Sequence, residues 1–215
     1  MTSQIDQDSI LTHASTPKSL ETNIHFLQKK IQNRDDLSHT TVTEQLNLLE
    51  KLSTFSFGRF LIKNRGLNGY WTDVAVMHPE QGRTTKLNID GLPFKNLESF
   101  LLDKAPIVLA TQERFQIFKN EIQKHVFDNA VLASIPCGIM SDLLTLNYSK
   151  ANNFTLYGID IDEASIEMAL QQAKNLNLES NTTFIKGNAW DLSLPEPVDV
   201  LTSNGLNIYE FDDER

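Results

Sequence analysis

The sequence predicts an α/β fold, a doubly wound and mainly parallel sheet of about four strands preceded by a mainly α-helical region. Three observations predict it. Four short apolar runs rich in β-branched residues follow residue 128: AVLASI (130–135), FTLYGI (154–159), TTFIKG (182–187) and VDVLTS (198–203). A helix-patterned segment, EASIEMALQQAKNLNL, separates the second from the third. Before residue 128 the apolar residues recur instead at steps of three and four, the spacing of helices.

Leu20, Ile24, Leu27 and Ile31 form the first such stripe, and residues 1–18 before it read as a polar, flexible tail. A second helix is predicted near 42–55, with Val42, Leu46, Leu49 and Leu52 inward and capping-box spacing between Thr41 and Glu44. FGRFLIKNRG predicts a third, with Gly66 placed to end it. YWTDVAVM fits a strand or a helical turn equally well, and His78-Pro79 reads as part of a turn. FKNLESFLLD is helical, Ala105-Pro106 breaks it, and TQERFQIFKNEIQKHVFD predicts a strong helix with Phe115, Phe118, Ile122 and Val126 on one stripe. The expected organisation is therefore a tail (1–18), a helical N-terminal or lid region (19–110) and a core (111–215).

The four later runs have the length and composition of strands buried in a parallel sheet. Between the second and third, Ile166, Leu170 and Ala173 form the expected inward stripe of a helix that Asp162 is positioned to cap. Strand–helix–strand–helix–strand with right-handed crossovers brings the strand ends onto one crevice.

Composition narrows the function. Hydrophobic residues make up 40% of the 215, enough for a sizeable core. A net charge of −9 and a pI near 5.0 argue against a nucleic-acid partner, which wants a basic face. Arg59, Lys63 and Arg65 make a local basic patch best explained as a solvated helix face. The single cysteine, Cys137, excludes an intrachain disulfide and fits a reducing compartment. The N-terminus lacks the pattern of a signal peptide, and no apolar run approaches the roughly 20 residues of a membrane span, so a cytoplasmic protein is expected. The five histidines show no metal-ligand spacing, and no metal is expected.

Ligands of open α/β sheets bind beyond the carboxyl ends of the strands. Pro136-Cys137-Gly138 follows the first strand, where a glycine permits close backbone approach and the next helix offers free N–H groups. Asp160 closes the second, 22 residues after Gly138. That is near the spacing of about 20 at which an acid meets a ribose in dinucleotide folds. GNAWDL follows the third strand, with Asn188, Ala189 and Trp190, and SNGLNIY follows the fourth, with Ser203 and Asn204.

From about residue 115 onward these motifs resemble the first half of the Rossmann-like core of class I S-adenosylmethionine-dependent methyltransferases. VLASIPCGIMSDLL, LYGIDIDEASIEMA, FIKGNAWDL and VDVLTSNGLNIYE carry the resemblance, the second most specifically. It implies S-adenosylmethionine as cofactor, with its methionine part on the loop of Pro136, Cys137 and Gly138 and its ribose on Asp160. The adenine would border Asn188, Ala189 and Trp190 and pack on Ile161. Ser203 and Asn204 would face the transferred methyl group.

The sequence departs from that family in three ways. Pro136 stands at the first glycine position of the usual G-x-G pair, and Asn188 stands where an aspartate is more frequent. The family's sheet has seven strands, and four are accounted for here, so the C-terminal half of the core is expected to be missing or its edge covered by a partner, as in a homodimer. Ser141, where a third dinucleotide-type glycine would fall, favours adenosylmethionine over NAD. Tyr70 and Trp71 either close over cofactor or substrate or anchor a loop to the core. Cys137, near a helix N-terminus, has no base that would make it a nucleophile. The expected function is methyl transfer to an acceptor, a small molecule first, with no catalytic residue assigned. The alternative is a non-catalytic binding or assembly module that uses the helical region and the exposed sheet edge.

Overall fold

The computed structural model describes residues 19–64 and 66–206, and the predicted tail lies outside them. Two compact units are present. One is built from the chain up to Leu67 together with His78–Leu109, the other from Asn68–Met77 and the chain from Ala110 onward.

In the first unit, α1 (Leu20–Arg34) starts where the Ser19 hydroxyl accepts the Thr22 N–H at 3.1 Å. Its predicted stripe is half-buried, and the fully buried residue is Asn23, whose amide donates to the Lys63 carbonyl at 2.8 Å. Helix α2 (Val42–Ser53) opens on the predicted capping box, with Glu44 accepting the Thr41 N–H and Thr41 accepting the Glu44 N–H. Helix α3 (Ser56–Asn64) buries Phe57 and Ile62 and stops two residues before Gly66.

YWTDVAVM resolves as helix: α4 (Gly69–Met77) belongs to the second unit and buries Trp71, Ala75, Val76 and Met77. The chain then returns to the first unit through the predicted turn at His78-Pro79. His78 does more than turn the chain, because it is 3% exposed and pairs with Asp103 at 3.1 Å, while Arg83 reaches the same oxygen at 2.7 Å. A short α5 (Gly82–Thr85) and α6 (Asn96–Asp103) follow, the latter burying Leu102.

Helix α7 runs Pro106–Gln123, so Pro106 begins it instead of only breaking the one before. A proline fits the first helical position, where its missing N–H would have had no helical partner. Of the predicted stripe Ile122 is buried, and Phe118 and Val126 pack at the edge of the same core.

The second unit contains β1 (Ala130–Ser134), α8 (Ser141–Leu144), β2 (Phe154–Asp160), α9 (Glu163–Asn175), β3 (Thr182–Lys186) and β4 (Val200–Thr202). The four strands lie in the order β3-β2-β1-β4 and every pair is parallel, the Rossmann-like arrangement the sequence predicts. Ala130, Leu132, Leu156, Ala169 and Ala173 are fully buried on one face, and Ala133, Tyr157 and Ile159 pack on the other. Strand β4 is shorter than the run VDVLTS. Asp199, before it, takes the Val131 N–H with its carboxylate at 2.8 Å, and regular pairing starts at Leu132 with Val200.

Asp162 caps α9 as expected, accepting the Ala164 N–H. The buried line of α9, however, is Ser165, Ala169 and Ala173, with Ile166 and Leu170 half-buried beside it. Small side chains let the helix backbone come close to its neighbours, and the larger residues fill the flanks.

Candidate functional site

The carboxyl ends of β1 and β2 are tied together by one side chain. Asp160, 8% exposed, accepts the Gly138 N–H at 2.8 Å with one oxygen and the Asp162 N–H at 2.9 Å with the other. The Cys137 N–H donates to the Ile159 carbonyl at 2.8 Å, and the Gly187 N–H donates to the Asp160 carbonyl at 3.0 Å. The turns after β1, β2 and β3 are therefore held in one hydrogen-bonded row. Each carboxylate oxygen of Asp160 keeps a second acceptor site beyond the bond it makes to backbone.

The loop after β1 contains a cis Ile135-Pro136 bond and two left-handed residues, Gly138 (φ +52°) and Met140 (φ +62°). A glycine is needed at 138 for this conformation and for a close neighbour. A Cβ on Gly138 would lie 3.3 Å from the Gly69 Cα, and one on Gly69 only 2.8 Å from the Gly138 Cα. The first residue of α4 therefore packs directly on the Gly138 backbone. Asn68 caps that helix, accepting the Trp71 N–H at 3.0 Å. The helix after the turn, α8, has four residues, all buried, of which Leu143 and Leu144 donate back to the Met140 carbonyl.

Beneath the loop lies a polar cluster. Asp142 is buried and accepts the Ser134 hydroxyl at 2.9 Å and the Thr202 hydroxyl at 2.7 Å, linking β1 to β4. Burial pushes its carboxyl above the ordinary range, against the opposing pull of those two hydroxyls. Gln172 donates to Ser141, whose own hydroxyl points to Asp73 of α4. Burial raises Asp73 to about 6; the Ser141 hydroxyl opposes the rise and the nearby Asp142 adds to it. Burial, with the charges of Asp160 and Asp142, also pushes the Cys137 thiol up, which keeps it protonated and agrees with a non-nucleophilic cysteine.

The remaining predicted residues are distributed as follows. Ile161 and Trp190, at the ends of neighbouring strands, are 62% and 46% exposed. Asn188 spends its side-chain oxygen on the Trp190 N–H at 3.0 Å, and Ala189 is half-buried against the sheet. Ser203 is exposed and Asn204 half-buried just past β4, ahead of Gly205 at φ +84°. Trp71 is buried and meets Tyr70 edge-on at 5.3 Å between ring centres. Sequence patterning missed Asp142, Asp73 and Gly69. A polar residue at a buried position carries no periodic signal of its own. Among the described residues no group of three or more acidic, histidine or cysteine side chains is arranged to hold a metal, and no helix is long and apolar enough to cross a membrane.

Residues 128–213 match the family model described as a methyltransferase domain, in agreement with the class I resemblance of the motifs. Over 91% of its length the chain shares its fold, with 34% identity and a TM-score of 0.79, with a crystal structure of a possible exported protein from Bordetella parapertussis. It spans 64% of that protein's length. Two further structures, each a SAM-dependent methyltransferase in complex with S-adenosyl-L-homocysteine, are more distant. The one from Geobacter sulfurreducens is 20% identical (TM-score 0.37; 44% of this chain, 36% of that one). The one from Thiobacillus denitrificans is 22% identical (TM-score 0.35; 42% of this chain, 37% of that one). No curated protein matches the chain.

Proposed function

We infer that this chain binds S-adenosylmethionine at the carboxyl end of its sheet and serves methyl transfer to an acceptor, a small molecule first. The carrying observation is the pair Ile161 and Trp190. Ile161, next to the nearly buried Asp160 at the end of β2, is 62% exposed, and Trp190, four residues past the paired strand β3, is 46% exposed. Exposed apolar groups together with a fixed acceptor are what an adenosine requires, a flat ring to be covered and two hydroxyls to be received. The residues present fit such a group. Asp160 keeps acceptor sites for ribose hydroxyls, and the amide of Asn188 stays available at the turn while its oxygen holds Trp190.

In this reading the bound cofactor supplies a methyl group on a sulfonium, a displacement in which positioning provides much of the rate. The protein's part is to hold the row of turns after β1, β2 and β3 still. Pro136, Cys137 and Gly138 wall the methionine end, and Ser203 with Asn204 faces the acceptor. The cytoplasm is the proposed compartment. A second reading, a binding or assembly module, draws on Leu201, 54% exposed on β4, the edge strand of the described sheet. It would give cofactor binding without transfer to any acceptor, together with a dimer in light scattering.

Calorimetric titration with S-adenosylmethionine and S-adenosylhomocysteine tests the leading reading. Binding is expected, at least tenfold weaker in Asp160→Ala. No binding by the parent chain, or equal binding by a folded Asp160→Ala, overturns it.

A further inference from the structure

Within the first unit, α1, α2 and the loop between them line an open cavity of about 470 Å³. That is the size of a small-ligand site. Its wall is aliphatic, supplied chiefly by Leu27, Ile31, Leu48 and Leu49. Two cations, Lys30 and Arg34, also line it, and no acidic residue is among its described lining residues. An apolar chamber with positive charge and no negative charge selects for an anion that carries an apolar body.

Gln45 of α2 supplies the second observation. It lines the same cavity, is 9% exposed, and its side-chain nitrogen is buried without a hydrogen-bond partner. The amide cannot be turned over to remove the problem, because its oxygen accepts from the Arg34 guanidinium. A buried amide donor left unpaired is costly, and natural structures keep few of them. The terminal torsion of a glutamine is soft. An acceptor arriving beside Arg34 would therefore meet an N–H after a small rotation, and a carboxylate would satisfy both groups at once.

We propose that the cavity between α1 and α2 binds a small apolar carboxylate, its chain on Leu27, Ile31, Leu48 and Leu49 and its head between Arg34 and Gln45. This site is separate from the sheet-end crevice and does not depend on the function proposed for it.

Dodecanoate, dodecanol and dodecyltrimethylammonium, each titrated against the full chain below its micelle concentration, make the test. Dodecanoate is expected to bind at least tenfold more tightly than dodecanol, and the ammonium compound not to bind. Arg34→Ala should weaken dodecanoate at least tenfold. Gln45→Met should weaken it similarly while raising the melting temperature, since the substitution removes the unpaired nitrogen and keeps the side-chain shape. A folded Gln45→Met that binds dodecanoate as the parent does overturns the proposal. So does equal binding of acid and alcohol, or binding of neither. Sedimentation at several concentrations covers the remaining occupant: a dimer that Leu48→Glu dissociates, with no dodecanoate bound, would make this face a self-contact and also overturn it.

Discussion

The two units treat a buried glutamine differently, although most buried polar groups of both find partners, Asn23 and His78 of the helical unit among them. In the sheet unit, Asp142 receives two hydroxyls, Asp160 receives two backbone N–H groups, and Gln112 donates to the Ala75 carbonyl at 3.0 Å. In the helical unit a buried glutamine amide is left half-used beside an aliphatic cavity. A polar group satisfied from within fixes strands and turns in one arrangement. One left unsatisfied keeps part of its binding capacity for something else.

That contrast can be broken most severely at Asp142. Asp142→Ala strands the Ser134 hydroxyl in the join of β1 and β4, leaves Thr202 only its 3.3 Å bond to the Ala133 carbonyl, and should cost about 3 kcal/mol in denaturant unfolding. A smaller effect is expected at Asp73, with a definite sign. Its carboxyl is ordinary at 3.8 in the unfolded chain and raised to about 6 in the fold. Between pH 4 and 6 the folded protein holds a proton that the unfolded chain has released. Stability therefore falls as pH rises through that window and stays lower above it. Asp73→Asn should flatten this dependence and raise stability at pH 7 by on the order of 2 kcal/mol, read from melts across pH 3.5–8. The smallest effect belongs to the helical unit. Thr41→Ala removes one half of the α2 capping box and should cost about 1 kcal/mol in denaturant unfolding. If Thr41→Ala cost more than Asp142→Ala, the contrast between the units would be wrong.

Much of this architecture is legible in the sequence, for physical reasons that also mark where legibility stops. The four β-branched runs, the capping signals of α2 and α9, and the turns after the strands all come from local chemistry, and they appear where expected. The face of α9 does not. Patterning picks out large residues such as Ile166 and Leu170, while the line of closest contact is made by Ser165, Ala169 and Ala173. YWTDVAVM stayed ambiguous because Trp71, Ala75, Val76 and Met77 are all buried, which blurs both periods. At the candidate site, Asp160, Ile161 and Trp190 follow strands and can be found by counting. Gly69, Asp73 and Asp142 owe their places to contacts between segments far apart in sequence, which no local pattern encodes.

The contact of Gly69 with Gly138 also bears on how the protein is made. Helix α4 precedes the rest of its own unit, and His78–Leu109, which belongs to the other unit, is translated in between. On the ribosome the first residues of the sheet unit emerge before the helical unit is complete. The helical unit is complete at Leu109, whereas the sheet unit draws on residues 68–77, made well before its strands. A fragment cut at residue 110 would start the strands without the glycine that packs on the Gly138 turn, so dissecting this protein into its two units requires a rearranged gene, with residues 68–77 carried along, and not a simple truncation.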